Sequence, residues 1–125
     1  MNGYKDLKIY NLAFELAIKI HYMSLTLPKY ELYEQGSQIR RSSKSIKDTI
    51  AEGYGRKRYK NDFIRFLIYA QASCDECVSQ LETIKKLYNP DDIDALLIEY
   101  DSLGKMIYQF IQWVENNWKP IKVNT

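Results

Sequence analysis

An all-α fold, an antiparallel up-and-down bundle of four helices, is predicted from three observations. Apolar residues recur at spacings of three and four along most of the chain, the period of a helix with one buried face. The three prolines and five glycines fall at a few points between those runs, which argues against a β-sandwich and against disorder. The 125 residues form one domain, 1–125, long enough to bury about two thirds of the surface its unfolded chain exposes.

The first helix is expected over about 6–27, with Ile9, Leu12, Leu16, Ile20, Met23 and Leu27 facing inward and Pro28 as its stop. The second covers about 34–52, and Gly53 is placed to cap its C-terminus. Its inward seam, Ile39, Ser43, Ile46, Ile50 and Gly53, is narrow, and its small residues permit a close neighbour. After the basic link "GYGRKRYK" the third helix covers about 61–88, with Asn61 or Asp62 as its cap. Its seam is Phe63, Leu67, Ala70, Cys74, Cys77, Leu81, Ile84 and Tyr88. In "NPDD", Asn89 can cap the fourth helix, about 90–118, while Pro90 suits a first turn and Asp91 and Asp92 favour its positive end. Ile93, Leu97, Tyr100, Ile107, Ile111, Val114 and Trp118 then face inward.

Two helices carry more apolar surface than a lone bundle uses. Leu7, Phe14, Ile18 and Leu25 form a second stripe on the first helix, and Met106, Phe110 and Trp113 form one on the fourth. Single exposed hydrophobes are ordinary, but aligned sets with large aromatics mark an interface, here expected to join copies of the chain.

Most candidate chemistry fails on its own requirements. "CDEC" at 74–77 has the spacing of redox and zinc sites, but it lies mid-helix on the apolar seam, far from a helix N-terminus that would acidify a thiol. With His21 as the single histidine, the chain offers at most three of the four ligands of a structural zinc site, so no metal is expected. Ser42, Ser43 and Ser45 have no neighbouring histidine to activate them. "EGYGRKR" follows a helix and lacks a phosphate-loop pattern, and the acids of "NPDDID" read as helix-start chemistry. Neither an enzyme nor a cofactor is expected. No apolar run approaches a membrane span, and "MNGYKDLKIYN" lacks an apolar signal core, so a cytoplasmic setting is the default.

Charge is segregated. Arg40, Arg41, Lys44, Lys47, Arg56, Lys57, Arg58, Lys60 and Arg65 face only Asp48, Glu52 and Asp62 within 40–65, whereas 75–101 holds eight acids against Lys85 and Lys86. Such a chain can present a basic patch to an anionic partner, or pair its basic region with the acidic region of a copy. For the first use, Arg40, Lys44, Lys47, Arg56, Lys57, Arg58 and Lys60 are the candidate phosphate contacts, with Tyr54 and Tyr59 close enough to stack on bases. Without any such partner, the same residues read as a solvated face with local pairs such as Lys44–Asp48 and Glu52–Arg56. Gln38, Arg41, Ser45, Asp48 and Glu52 form a mixed stripe suited to bonds within or between subunits.

"QIRRSSKSIKDTIAEG", residues 38–53, resembles the signature Q-I-R-R-A-x-x-S-I-x-x-N-I-A-E-G of the four-helix-bundle proteins encoded within 23S ribosomal RNA intervening sequences, the S23 proteins. The signature residues present are Gln38, Ile39, Arg40, Arg41, Ser45, Ile46, Ile50, Ala51, Glu52 and Gly53. Pro28, Glu31 and Tyr33 fit that family's first link, and "FIRFLIYAQASCDE" is similar to its later F-x-x-F-L-x-x-A-x-G-S-x-x-E. Ser42, Thr49, Gln35 and Ala72 depart from it by small changes. The resemblance implies an antiparallel bundle assembled into a homopentameric ring. Through similar pentameric accessory proteins of diversity-generating retroelements, it also implies a basic surface that engages nucleic acid. A protein-interaction scaffold with no nucleic-acid ligand is the alternative expectation.

Overall fold

The computed structural model describes residues 3–119. Four helices run antiparallel in chain order: α1 Lys8–Ser24, α2 Gln35–Gly55, α3 Lys60–Leu87 and α4 Ile93–Asn117. Each packs on its sequence neighbours, most intimately α2 on α3, and α1 closes the bundle against α4 along its loosest seam. Single-turn 3₁₀ helices, Tyr4–Asp6 and Lys29–Glu31, precede α1 and α2.

The predicted seams of α2 and α3 are buried as expected: Ile39, Ser43, Ile46, Ile50 and Gly53 on one side, Phe63 through Ile84 on the other. Fully burying an isoleucine or leucine contributes about 1.5–3 kcal/mol, so three isoleucines are a small contribution that must be used at close range. Gly53 makes that range possible. A Cβ there would lie 2.8 Å from the Phe66 Cβ and 3.4 Å from the Phe63 carbonyl oxygen, so the glycine lets α2 and α3 touch. It is not the cap predicted for it. Helix α2 runs on to Gly55, and the Arg56 and Lys57 N–H groups close it by bonding to the carbonyls of Gly53 and Tyr54.

Other boundaries differ for identifiable reasons. Helix α1 ends at Ser24, where the chain tightens into i→i+3 bonds before Pro28; the Ser24 and Thr26 hydroxyls bond back to the carbonyls of His21 and Met23. Asn61 and Asp62 lie inside the first turn of α3, whose N-cap position is Tyr59 and has no side-chain cap. Asn89 closes α3 instead of opening α4. It sits in the left-handed region at φ 44°, and its N–H meets the carbonyls of Ile84 and Lys85. Helix α4 consequently begins only at Ile93. Within it Leu96 and Leu103 are buried while Leu97 is half-buried, a shift of the inward face by about one position.

Leu7, expected on the outer stripe, belongs to the core at 4% exposure. It precedes α1 with extended backbone (φ −76°, ψ 126°), so a helical wheel misplaces its side chain. Met106 and Phe110 are likewise half-buried against the core, whereas Phe14, Ile18, Leu25 and Trp113 are exposed.

Candidate nucleic-acid interface

The antiparallel topology brings the start of α1, the α2–α3 link, the start of α3 and the end of α4 to one end of the bundle. Polar staples hold that end together: Lys60 Nζ donates to the Glu115 carbonyl at 2.6 Å, and Trp118 Nε1 donates to the Lys57 carbonyl at 2.9 Å. Beneath them Phe63 is ringed by Tyr54, Phe110 and Trp118 in edge-to-face contacts with centroids 5.3–6.0 Å apart. The link thus rests on an aromatic floor although it has no regular structure of its own.

At this end the cations lie over rings. The Arg56 guanidinium is 4.7 Å from the Phe66 centroid and that of Arg65 is 5.4 Å from it. Lys57 Nζ lies 4.0 Å over Tyr54, and Arg58 is 5.9 Å from the Tyr59 centroid. Arg56 is also within 3.8 Å of both Glu52 and Asp62, and Arg65 is 2.9 Å from Asp62. Lys57 and Arg58 make no ion pair among the described residues. Arg58, Tyr59, Lys60, Asn61 and Asp62 line an open hollow of about 620 Å³. Tyr59 stands at its edge, 63% exposed.

The seven basic residues singled out in the sequence do not gather on one surface. Arg56, Lys57, Arg58 and Lys60 share the end just described. Lys44 and Lys47 lie partway along α2; Lys47 bonds Asp48 at 2.7 Å and sits 5.2 Å from the Phe14 ring of α1. The expected Lys44–Asp48 pair is absent among the described residues, while Glu52–Arg56 is present at 3.8 Å.

Arg40 lies apart from the link that carries Arg56, Lys57 and Arg58. Its guanidinium turns inward at the opposite end, donating to Ser24 Oγ at 2.8 Å and to the Leu32 carbonyl at 2.6 Å, and so ties α2 to the end of α1 and to the link. A Cβ on Gly36 would lie 2.9 Å from Arg40 Nη1 and 2.9 Å from the Glu31 carbonyl oxygen, so the glycine leaves room for this crossing. At the same end the buried Glu31 carboxylate accepts from the Tyr88 hydroxyl at 2.7 Å, and the Tyr30 hydroxyl is 3.0 Å from that of Tyr88. The Tyr30 bond and the Glu31 carboxylate hold the Tyr88 hydroxyl protonated well above the usual tyrosine range. The sequence reading missed Glu31 as a structural group. Its proximity to Pro28, Tyr30 and Tyr33 was the available signal.

Of the signature residues, Ser45 bonds Ser73 of α3 at 3.1 Å, and Gln38 and Arg41 are exposed on α2. His21 is half-buried in edge contact with Tyr22, 5.5 Å between centroids. Cys74 and Cys77 are free and buried in the core. Loss of hydration pushes the Cys74 thiol up to about 12 and that of Cys77 higher still, so both are neutral packing groups. Among the described residues no three His, Cys, Asp or Glu side chains are grouped to hold a metal ion, and no helix is long and apolar enough to cross a membrane.

No curated protein matches the sequence. Among solved structures, the fold is similar to a protein of unknown function from the S23 ribosomal protein family of Bacteroides thetaiotaomicron VPI-5482. That likeness has a TM-score of 0.71 at 21% identity and covers 83% of this chain and 98% of the other. The family profile described as "23S rRNA-intervening sequence protein" matches residues 5–109, which include both α2 with its signature and the basic link. The chain therefore belongs to the 23S rRNA-intervening sequence protein family.

Proposed function

We propose that this chain is a non-enzymatic, self-associating bundle of the cytoplasm that binds nucleic acid through its basic end. The observation that carries the reading is the placement of Arg56, Lys57 and Arg58 on the link, with Lys60 beside them, at the end where α4 is stapled down. Cations held over rings have little rotamer freedom left to lose when they meet phosphate. The start of α3, which has no side-chain cap, lines the same hollow and adds partial positive charge. Lys5 and Lys8 at the start of α1 extend the basic character. Arg40 lies outside this surface. A ring of five subunits, the assembly the resemblance implies, would repeat the weak contact and raise avidity.

Titration against RNA and DNA at several salt concentrations tests the reading. The affinity is expected to fall steeply with salt, and replacing Arg56, Lys57 and Arg58 by alanine should flatten that slope by about two to three in log–log terms. Absence of binding at low salt, or an unchanged slope in the triple variant, rejects it.

A protein-interaction scaffold is favoured by a different observation. Phe14, Ile18, Tyr22 and Leu25 leave an exposed apolar stripe on α1 beside a hollow of about 490 Å³ against α4. A second copy of the chain is the occupant we assign to it. Light scattering tests this occupant: an oligomer that Phe14→Glu and Ile18→Glu together dissociate supports the assignment, and a 14.8 kDa monomer at micromolar concentration refutes it.

A further inference from the structure

The basic end differs from a plain electrostatic patch in the aromatic rings it leaves open, and resting on the nucleic-acid reading above, we propose that its ligand is single-stranded nucleic acid, whose unpaired bases stack on Tyr59 and Trp113. Duplex phosphates require cations alone, and a double helix keeps its base faces covered by their neighbours. Here large rings are exposed at the same end as the cations. Tyr59 is 63% exposed at the hollow lined by Arg58 and Lys60. Trp113 is 47% exposed. Its ring lies nearly parallel to Phe110, 10° between planes, and is braced at its edge by Trp118, which holds it in place. Because Trp118 is bonded to the Lys57 carbonyl, Trp113 belongs to the same end as the link.

A second feature points away from duplex. Asp62 lies among these cations, 2.9 Å from Arg65 and 3.8 Å from Arg56. That carboxylate breaks the basic surface into short pieces. A rigid duplex presents its charge in long regular rows, whereas a flexible strand can route its phosphates past Lys57 and Arg58 and avoid the acid.

The test titrates a poly(dT) strand, a poly(U) strand and a blunt mixed-sequence duplex of the same length at one salt concentration, reading anisotropy and intrinsic fluorescence. Both tryptophans of the chain, Trp113 and Trp118, lie at this end, so stacking is read directly. The strands are expected to bind at least about tenfold tighter than the duplex and to quench the fluorescence, with Trp113→Phe removing most of the quenching. Tyr59→Ala should weaken strand binding about tenfold while Tyr59→Phe retains it, because the ring and not the hydroxyl does the stacking. Unchanged thermal melting of both variants excludes a folding defect. Equal or tighter duplex binding, or a Tyr59→Ala variant that binds the strands unchanged, overturns the proposal while leaving the nucleic-acid reading intact. Absence of binding to all three probes removes that reading and this one together.

Discussion

The two ends of the bundle use arginine in opposite ways. At the α1–α2 link Arg40 reaches inward to a serine hydroxyl and a backbone carbonyl, next to a buried Glu31 that accepts a hydrogen bond from the Tyr88 hydroxyl. At the α2–α3 link Arg56 and Arg58 lie over rings on the outside, held by faces and not by carbonyls. The difference follows from what the links leave unsatisfied. The first link turns its Leu32 carbonyl toward Arg40, whereas the open carbonyl of the second link, that of Lys57, is taken by the Trp118 indole N–H of the α4 end. An arginine within reach of an open carbonyl becomes architecture, and one whose neighbouring carbonyl already has a donor stays on the surface.

Substitutions that separate the ends test this contrast. Arg40→Ala is expected to cost the most, about 2–3 kcal/mol, since two charge-assisted bonds are lost and the Leu32 carbonyl is left without its donor; urea unfolding measures it. The same change should leave nucleic-acid affinity within twofold. Tyr88→Phe removes the hydrogen bond donated to the Glu31 carboxylate and should cost about 1–2 kcal/mol in the same assay. Arg58→Ala should shift stability by less than about 0.5 kcal/mol, because among the described residues it makes no ion pair. Comparable destabilisation by Arg58→Ala and Arg40→Ala would erase the distinction between the ends.

A slower test lies in the core between them. The folded Cys74 thiol stays neutral until about pH 12, whereas an unfolded cysteine ionises near ~8.5. The folded state therefore binds more protons above that lower value. The contribution of this thiol to stability is complete below ~8.5 and is lost as the pH rises through about 12. Native protein at pH 8 should leave both thiols unreactive toward a disulfide reagent, and urea should expose both.

The inward seams of α2 and α3 were legible because a 3.6-residue period survives any detail of the links, even where only Ile39, Ile46 and Ile50 carry it. What misled was the assumption that the period continues past the helix. Leu7 sits on extended backbone, where the wheel no longer applies. Gly53 was read as punctuation when its role is contact, and Asn89 as a beginning when its positive φ makes it an end. Arg40 shares a wheel stripe with Lys44 and Lys47, and only the fold reveals that Ser24 and Leu32 come within its reach. In the candidate site, the basic run and Tyr59 were visible as composition. Trp113 was visible only as part of an outer stripe on α4, because nothing in the local sequence tells that the end of α4 meets a link some sixty residues earlier, the separation of Trp118 from Lys57 being 61 positions.

The loose seam between α1 and α4 has a kinetic meaning. Contacts between neighbouring helices close short loops, and the most extensive of them, α2 on α3, surrounds the shortest link. That hairpin is expected to form first, with α1 and α4 docking on its flanks and meeting each other last, across the longest chain separation in the fold. The Lys19–Glu99 pair at 3.1 Å is the one ion pair across that seam among the described residues, and it is exposed. Native-state hydrogen exchange should then find the outer pair opening at lower free energy than the inner hairpin. The signature stretch would be the part of the chain that assembles earliest and lets go last.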